Sequence, residues 1–302
     1  MQQIKAVILI WIYKITATLC DDESLRLKNK IRTFPTMRIG LFLVIALSFF
    51  RSQAFAVELT PEAGEAFKNY IATFESQRLK TIASVGADTD QTERRQLLNG
   101  QVVVKPGRNN GETPLKSALI HDWVGSIFIP STSLSKVVSI LQDYSHHSVV
   151  YAPDIRDARV RSHSGDDFDV YVRIVKSKLL ITDVLDTEQD IHFARLDDRH
   201  EYCRAYSTRI AEVSNAGTAQ EHELPVGNDR GMLWRLYGYW FLEERDGGVY
   251  AEYESITLSR SIPFGMGAVL GPILHNVPAE SLRSSLEKTR RAVEGQAVAH
   301  SD

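Results

Sequence analysis

Three scarcities bound what this 302-residue chain can be. With only two cysteines, Cys20 and Cys203, it is not a disulfide scaffold. Eighteen glycines and ten prolines are too few for a collagenous or low-complexity chain. There is also little excess charge of either sign: 35 basic and 38 acidic groups leave a net −3, so electrostatics make no case for nucleic acid as a partner. Catalytic and cofactor signatures are missing as well. There is no HExxH or CxxC for a metal, no GxSxG elbow for a serine hydrolase, and Gly265, Gly267 and Gly271 form GxGxxxG, a misfit to the dinucleotide fingerprint. No metal and no cofactor is therefore expected. What the chain does have is a 43% apolar content, ample for a packed core.

The charge is unevenly spread. Residues 57–302 carry 27 basic and 35 acidic groups, a net −8, behind a basic and greasy head. From Met37 the head reads Arg38, then an apolar run of twelve residues, Ile39–Phe50, then Ala54-Phe55-Ala56. That is the three-part layout of a secretory signal peptide, and twelve residues are too few to span a bilayer comfortably. The expectation is export, periplasmic or secreted, with cleavage near Ala56 and a start at Met37 that leaves residues 1–36 as an over-extended N-terminus. Cys203 is then a lone thiol without an intramolecular partner.

The body opens on a helix over 61–80, with Thr60-Pro61 as cap and first-turn proline and an apolar face of Phe67, Tyr70, Ile71, Phe74 and Leu79. Residues 84–96 read as loop, Gln101–Val104 as a short strand and Arg108–Thr113 as a flexible segment. This extension, 57–118, is too small for a confident independent domain and is expected to pack on the rest of the chain. From Trp123 the pattern sharpens: a strand to Pro130, a helix from about Leu134 to Asp143, and an irregular turn over Tyr144–Pro153. Seven strand candidates come next: Ala158–Ser162, Asp169–Lys176, Leu180–Glu188, Asp190–Leu196, Glu201–Val213, Met232–Arg245 and Val249–Arg260. Turn chemistry at Gly165-Asp166, Asp197-Asp198, Asn215-Ala216-Gly217 and Asp246-Gly247-Gly248 makes them antiparallel neighbours. A closing helical stretch carries Leu282, Leu286, Thr289 and Val293 on one face, with Pro272 and Pro278 expected to kink or interrupt its first half. The sum is an α+β domain over 119–296, with a short tail at 297–302.

This order of elements resembles the START-like superfamily, which takes in polyketide cyclases, birch-allergen-class plant proteins and coenzyme-Q-binding proteins. The matching stretches are Trp123–Tyr144, the meander Ile155–Arg260, and Ile262-Pro263 leading into the last helix, about 175 of 302 residues. The resemblance implies a helix-grip fold: a curved antiparallel sheet of about seven strands wrapped on a long C-terminal helix, enclosing an apolar cavity. No catalytic residue is shared across that superfamily, and none is carried over. Physical reasoning agrees, because one amphipathic helix is narrower than seven strands and leaves a void in which a hydrophobic ligand can sit.

The expected lining is Trp234, Leu236 and Trp240 from the aromatic strand, with Gly238 and Leu242 on the same face by period two. Tyr206, Phe264, Met266, Leu270, Leu282 and Leu286 complete it, and Ile262–Pro278 would act as a gate. Arg173, Arg209 and Glu254 read as outward charges on a half-solvated sheet; the sharper reading turns an Arg and a Glu inward to hold a polar head group. The clustered histidines His121 and His146-His147 lack a third ligand for a metal. The expected partner is a hydrophobic small molecule or lipid (isoprenoid or polyketide-like compounds included), with transient membrane contact. A cavity-based cyclase or hydrolase, and an interaction module of the cell envelope built on 57–118, stay open as alternatives.

Overall fold

The computed structural model describes residues 57–78, 90–178, 181–229, 233–261 and 267–295. The signal-like head, residues 1–36, the lip residues Phe264 and Met266, and the 297–302 tail lie outside them. None of the described helices is long and apolar enough to cross a membrane. By backbone contacts, residues 57–176 and 183–302 form one compact unit, and residues 177–182 fall outside it.

The elements run β1 (Val57–Glu58), α1 (Pro61–Arg78), α2 (Gln91–Leu98), β2 (Val103–Pro106), β3 (Glu112–Leu115), β4 (Ala118–Pro130), α3 (Leu134–Gln142) and α4 (His147–Val150). Then come β5 (Ile155–Ser164), β6 (Asp167–Lys178), β7 (Ile181–Arg195), β8 (His200–Ser214), β9 (His222–Glu223), β10 (Asn228–Asp229), β11 (Arg235–Arg245), β12 (Gly248–Arg260) and α5 (Gly267–Val293). Ten strands form one sheet in the order β2-β4-β12-β11-β8-β7-β6-β5, with β3 on β4 and β9 on β8. The registered pairs are antiparallel, and α5 closes the chain against the curved sheet, a helix-grip α+β fold.

The short links are those the turn residues demand. Asp246 and Gly247, at φ +58° and +75°, turn β11 into β12, and Asp197 Oδ1 accepts from the backbone N–H groups of Arg199 and His200 to close β7 onto β8. The helices also start as their caps dictate. Ala63 N–H donates to Thr60 Oγ1 at α1, and Lys136 N–H donates to Ser133 Oγ at α3.

Three expectations need correction. Leu180–Glu188 and Asp190–Leu196 are a single strand, β7: no turn residue breaks it, and the irregularity lies across the ladder, where Thr208 bulges out of β8. The loop expected over 84–96 contains the start of α2, and the flexible 108–113 segment leads into β3 on the edge of β4. The closing helix runs from Gly267 to Val293 without the interruption expected at Pro272 and Pro278.

The core has two halves because both faces of the central strands are covered. The inner face, toward α5, buries Ile127, Ile129, Leu242, Val249, Ala251, Phe193, Val170 and Val172 with Leu286 and Val293. The outer face buries Tyr202, Tyr239, Phe241, Ile256 and Leu258 under Ala63, Phe67, Ile71 and Phe74 of α1.

Candidate functional site

Strand register decides which side chains meet beneath α5. One row across the inner face runs Gly125, Tyr253, Trp240, Cys203, Phe193 through β4, β12, β11, β8 and β7. Gly125 lets the closing helix approach: a Cβ there would lie 2.6 Å from Leu286 Cδ1 and 2.7 Å from Leu282 Cδ2. Beside it the Trp240 and Tyr253 rings stack, with centroids 4.5 Å apart and planes 12° from parallel. The next row holds Ser255, Gly238 and Ala205 on three consecutive strands. These side chains are too short to reach a helix packed about 10 Å above a sheet. At Gly238 a Cβ would meet the Tyr253 hydroxyl at 2.7 Å, so that phenol leans over the floor of the row.

Accessibility agrees with this relief. At the α3 end the inner face is sealed: Ile127, Ile129, Val137, Val249 and Leu286 are wholly buried. Around the small-residue row, Leu236, Trp240, Tyr253 and Ala205 each keep surface open to a water-sized sphere, although they lie on the central strands. The pKa of the Tyr253 phenol is nonetheless driven well up by burial. Central side chains on the inner face therefore keep accessible surface where the row of short residues lies.

Polar groups also stand on this inner side. Tyr144 is 4% exposed and Tyr151 7%, and the Tyr151 hydroxyl lies 3.0 Å from Thr289 Oγ1 of α5. His147 packs edge-on to Tyr151 and against Tyr144, and burial pulls it down to about 4, so it is neutral at pH 7. Lys288 fastens α5 to the α4–β5 turn, with Nζ 2.6 Å from Asp154 Oδ2. Burial keeps the Cys203 thiol protonated, far above the ordinary range and unreactive. Further along β7 and β8, Thr187 and Glu212 are fully buried, the first donating to Val172 O.

The expected lining divides accordingly. Trp240, Leu282 and Leu286 lie on the helix side, as does Leu236 by strand alternation. Leu270 is on α5, in the stretch whose side chains are not described. Trp234 and Tyr206 belong to the other face. Trp234 precedes β11 and its Nε1 donates to Asp229, while Tyr206 stacks on Tyr237 at 4.3 Å and donates to Glu75. Both are aromatic because α1 covers that face too.

The three charged candidates also lie outside. Arg173 makes a two-pronged pair with Asp186 (Nε–Oδ1 2.7 Å, Nη2–Oδ2 2.8 Å) and reaches Glu221; Arg209 pairs with Glu223. Glu254 sits beneath α1 beside Asp122, at 5% and 1% exposure. Asp122 accepts a 2.7 Å bond from the Tyr70 hydroxyl, Arg108 Nε lies 3.5 Å from the same oxygen, and Arg78 Nε lies 4.0 Å from Glu254 Oε2. Burial first, then the neighbouring Asp122 charge, pushes the Glu254 carboxyl up to about 9, so it carries a proton at pH 7. His121 and Asp122 point to opposite faces by strand alternation, and no metal-holding cluster exists among the described residues.

Sequence reasoning misses two features of the site. One is the small-residue row, which needs the register. The other is the cover on the outer face, whose signal is present in the chain: β11 is apolar at both parities, the mark of a strand buried on two sides.

No family model and no curated protein matches the chain. Among solved structures, a STAR-related lipid transfer protein from Xanthomonas axonopodis is similar at 15% identity and TM-score 0.43, over 61% of this chain and 99% of that one. Human STARD10 is similar at 9% and 0.38, over 68% and 80%, and the Zhui aromatase/cyclase from Streptomyces sp. R1128 at 12% and 0.36, over 58% and 94%. At such values the likeness bears on neither ligand nor activity. The fold class stands on strand order, register and the helix that the sheet grips.

Proposed function

We propose that the protein holds or moves a hydrophobic molecule, a lipid, isoprenoid or polyketide-like compound, between the inner face of the sheet and α5. The observation that carries this reading is the Ser255–Gly238–Ala205 row, flanked by the stacked Trp240 and Tyr253, whose surfaces stay accessible at the centre of the sheet. Apolar burial supplies the affinity, about 2.5 kcal/mol per 100 Å² before ordering costs. The signal-like segment at 37–56 supports a carrier working outside the cytoplasm, where a greasy cargo needs shielding between membranes.

The test is chemical. The protein is purified from its native compartment and extracted with organic solvent, and the extract is analysed by mass spectrometry. A hydrophobic compound in near-stoichiometric amount is expected; an extract empty of such a compound, with a stably co-purifying protein instead, overturns the reading.

A further inference from the structure

Under α1 the outer face holds a cluster of charges that do not balance. Asp122 of β4 is 1% exposed and Glu254 of β12 is 5% exposed, and Glu252 lies two residues from Glu254 on the same face. Asp122 stands opposite Ile256, which puts it one diagonal step from Glu254 on the neighbouring strand. Among the described residues, two guanidiniums answer these carboxylates. Arg78, in the last turn of α1, bonds Glu252 and has Nε 4.0 Å from Glu254 Oε2. Arg108, from the turn before β3, has Nε 3.5 Å from Asp122 Oδ2 and its guanidinium carbon 4.0 Å from the centre of the Tyr70 ring. Tyr70 of α1 donates to the same Asp122 oxygen at 2.7 Å. Glu75, also on α1, is held apart: it accepts from Tyr206 and Tyr239, with Arg204 over the Tyr206 ring.

Three negative charges against two positive ones would leave a buried charge uncompensated, which is costly. A proton on one carboxyl makes the cluster neutral. The geometry also shows where a donor is needed. Asp122 Oδ1 is buried without a hydrogen-bond partner, and the chain at Gly107 closes on it so tightly that a Cβ there would lie 2.1 Å away. Glu254 is the adjacent carboxyl, and burial with the Asp122 charge raises it to about 9, so it is the group that keeps the proton.

We propose that this proton locks α1: the helix docks on the sheet with one carboxyl of the Asp122–Glu254 pair protonated, and undocking releases that proton. Undocking returns Glu254 to water and to its ordinary value of 4.5, so between there and about 9 each unit of pH rise favours the open helix by up to about tenfold. Phe241, Ile256 and Leu258, covered in the docked state, are uncovered when α1 leaves. Rising pH thus loosens the cover of an apolar face, independently of any cargo on the other side of the sheet.

Amide hydrogen exchange of the full chain reads the lock. Protection factors, which correct for the intrinsic effect of pH on exchange, are measured from pH 6 to pH 9 for residues 61–78 of α1 and 281–293 of α5. In the wild type those of α1 should fall by up to about tenfold per pH unit while those of α5 stay nearly constant, and Glu254→Gln should remove the fall. Glu252→Gln takes away one charge and leaves the pair, so the fall should level off at a lower pH; this check stands even where Glu254→Gln does not fold. A fall shared equally by α1 and α5, no fall at all, or a fall that either substitution leaves unchanged overturns the lock.

Discussion

The two faces of the central strands are built from the same residue classes and come to opposite ends. Outside, α1 lays Phe67, Ile71 and Phe74 onto Tyr239, Phe241 and Ile256, and the Tyr239 and Tyr70 hydroxyls donate to Glu75 and Asp122. Inside, Leu286 and Val293 of α5 pack on one end of the face, and the next row along the central strands holds Ser255, Gly238 and Ala205. Polarity alone does not mark a site. On the outer face charged residues are held by partners within the protein, Arg173 by Asp186 and Arg209 by Glu223.

The largest effect that could break this contrast is removal of an α1 anchor. Phe67→Ala, at 2% exposure, should cost about 4 kcal/mol of stability by denaturant melt. Retention of the hydrophobic cargo should survive, because α1 covers the other side; loss of cargo in the folded variant would couple the two faces.

Next in size is the buried acid pair. Glu254 is raised from its ordinary value to about 9 in the folded state, so the native protein binds a proton there that the unfolded chain gives up above about pH 4.5. Its stabilising contribution is complete below that value and is lost as pH rises toward 9, with a slope of at most about 1.4 kcal/mol per pH unit. Glu254→Gln should flatten the fall in melting temperature between pH 5 and 9 and leave cargo binding alone. A wild-type stability that rises over that range would contradict the assignment.

The smallest effect is expected at Arg173. Its partner Asp186 is held below the usual carboxylate range mainly by Arg173, against the opposing effect of burial, but the guanidinium is about 29% exposed. Arg173→Leu should therefore cost only about 1 kcal/mol after solvent screening. A carrier that used Arg173 to hold a head group would instead lose its cargo, which mass spectrometry of the extracted variant would show.

The contrast between the faces is legible in the sequence only in part. The meander, its turns at Asp246-Gly247 and Asp197-Asp198, and the apolar stripe through Leu282 and Leu286 are local patterns, and period and turn chemistry read them directly. Period two also places Leu236, Trp240 and Leu242 on one face. It does not say which neighbour stands beside them, and a row of short side chains is a property of neighbours: Gly238 lies between Ala205 and Ser255. Placing Tyr206 and Trp234 inward assumes that one face is solvated. The α1 helix, more than 120 residues away along the chain, removes that assumption. Glu254 is visible in the sequence as a charge within a strand, and its surroundings become clear only with Asp122 beside it and the Tyr70 hydroxyl on that carboxylate.

The central claim is that the space over Ala205 is empty of protein and filled by cargo. Ala205→Trp tests it directly: the variant is purified from the native compartment, melted, and assayed for solvent-extractable hydrophobe per chain. An indole that enters the hollow should leave the melting temperature within a few degrees of wild type and remove nearly all of the bound compound. A collapse in melting temperature, as overpacking of a filled core produces, with cargo retained in whatever folded protein remains, would contradict the account.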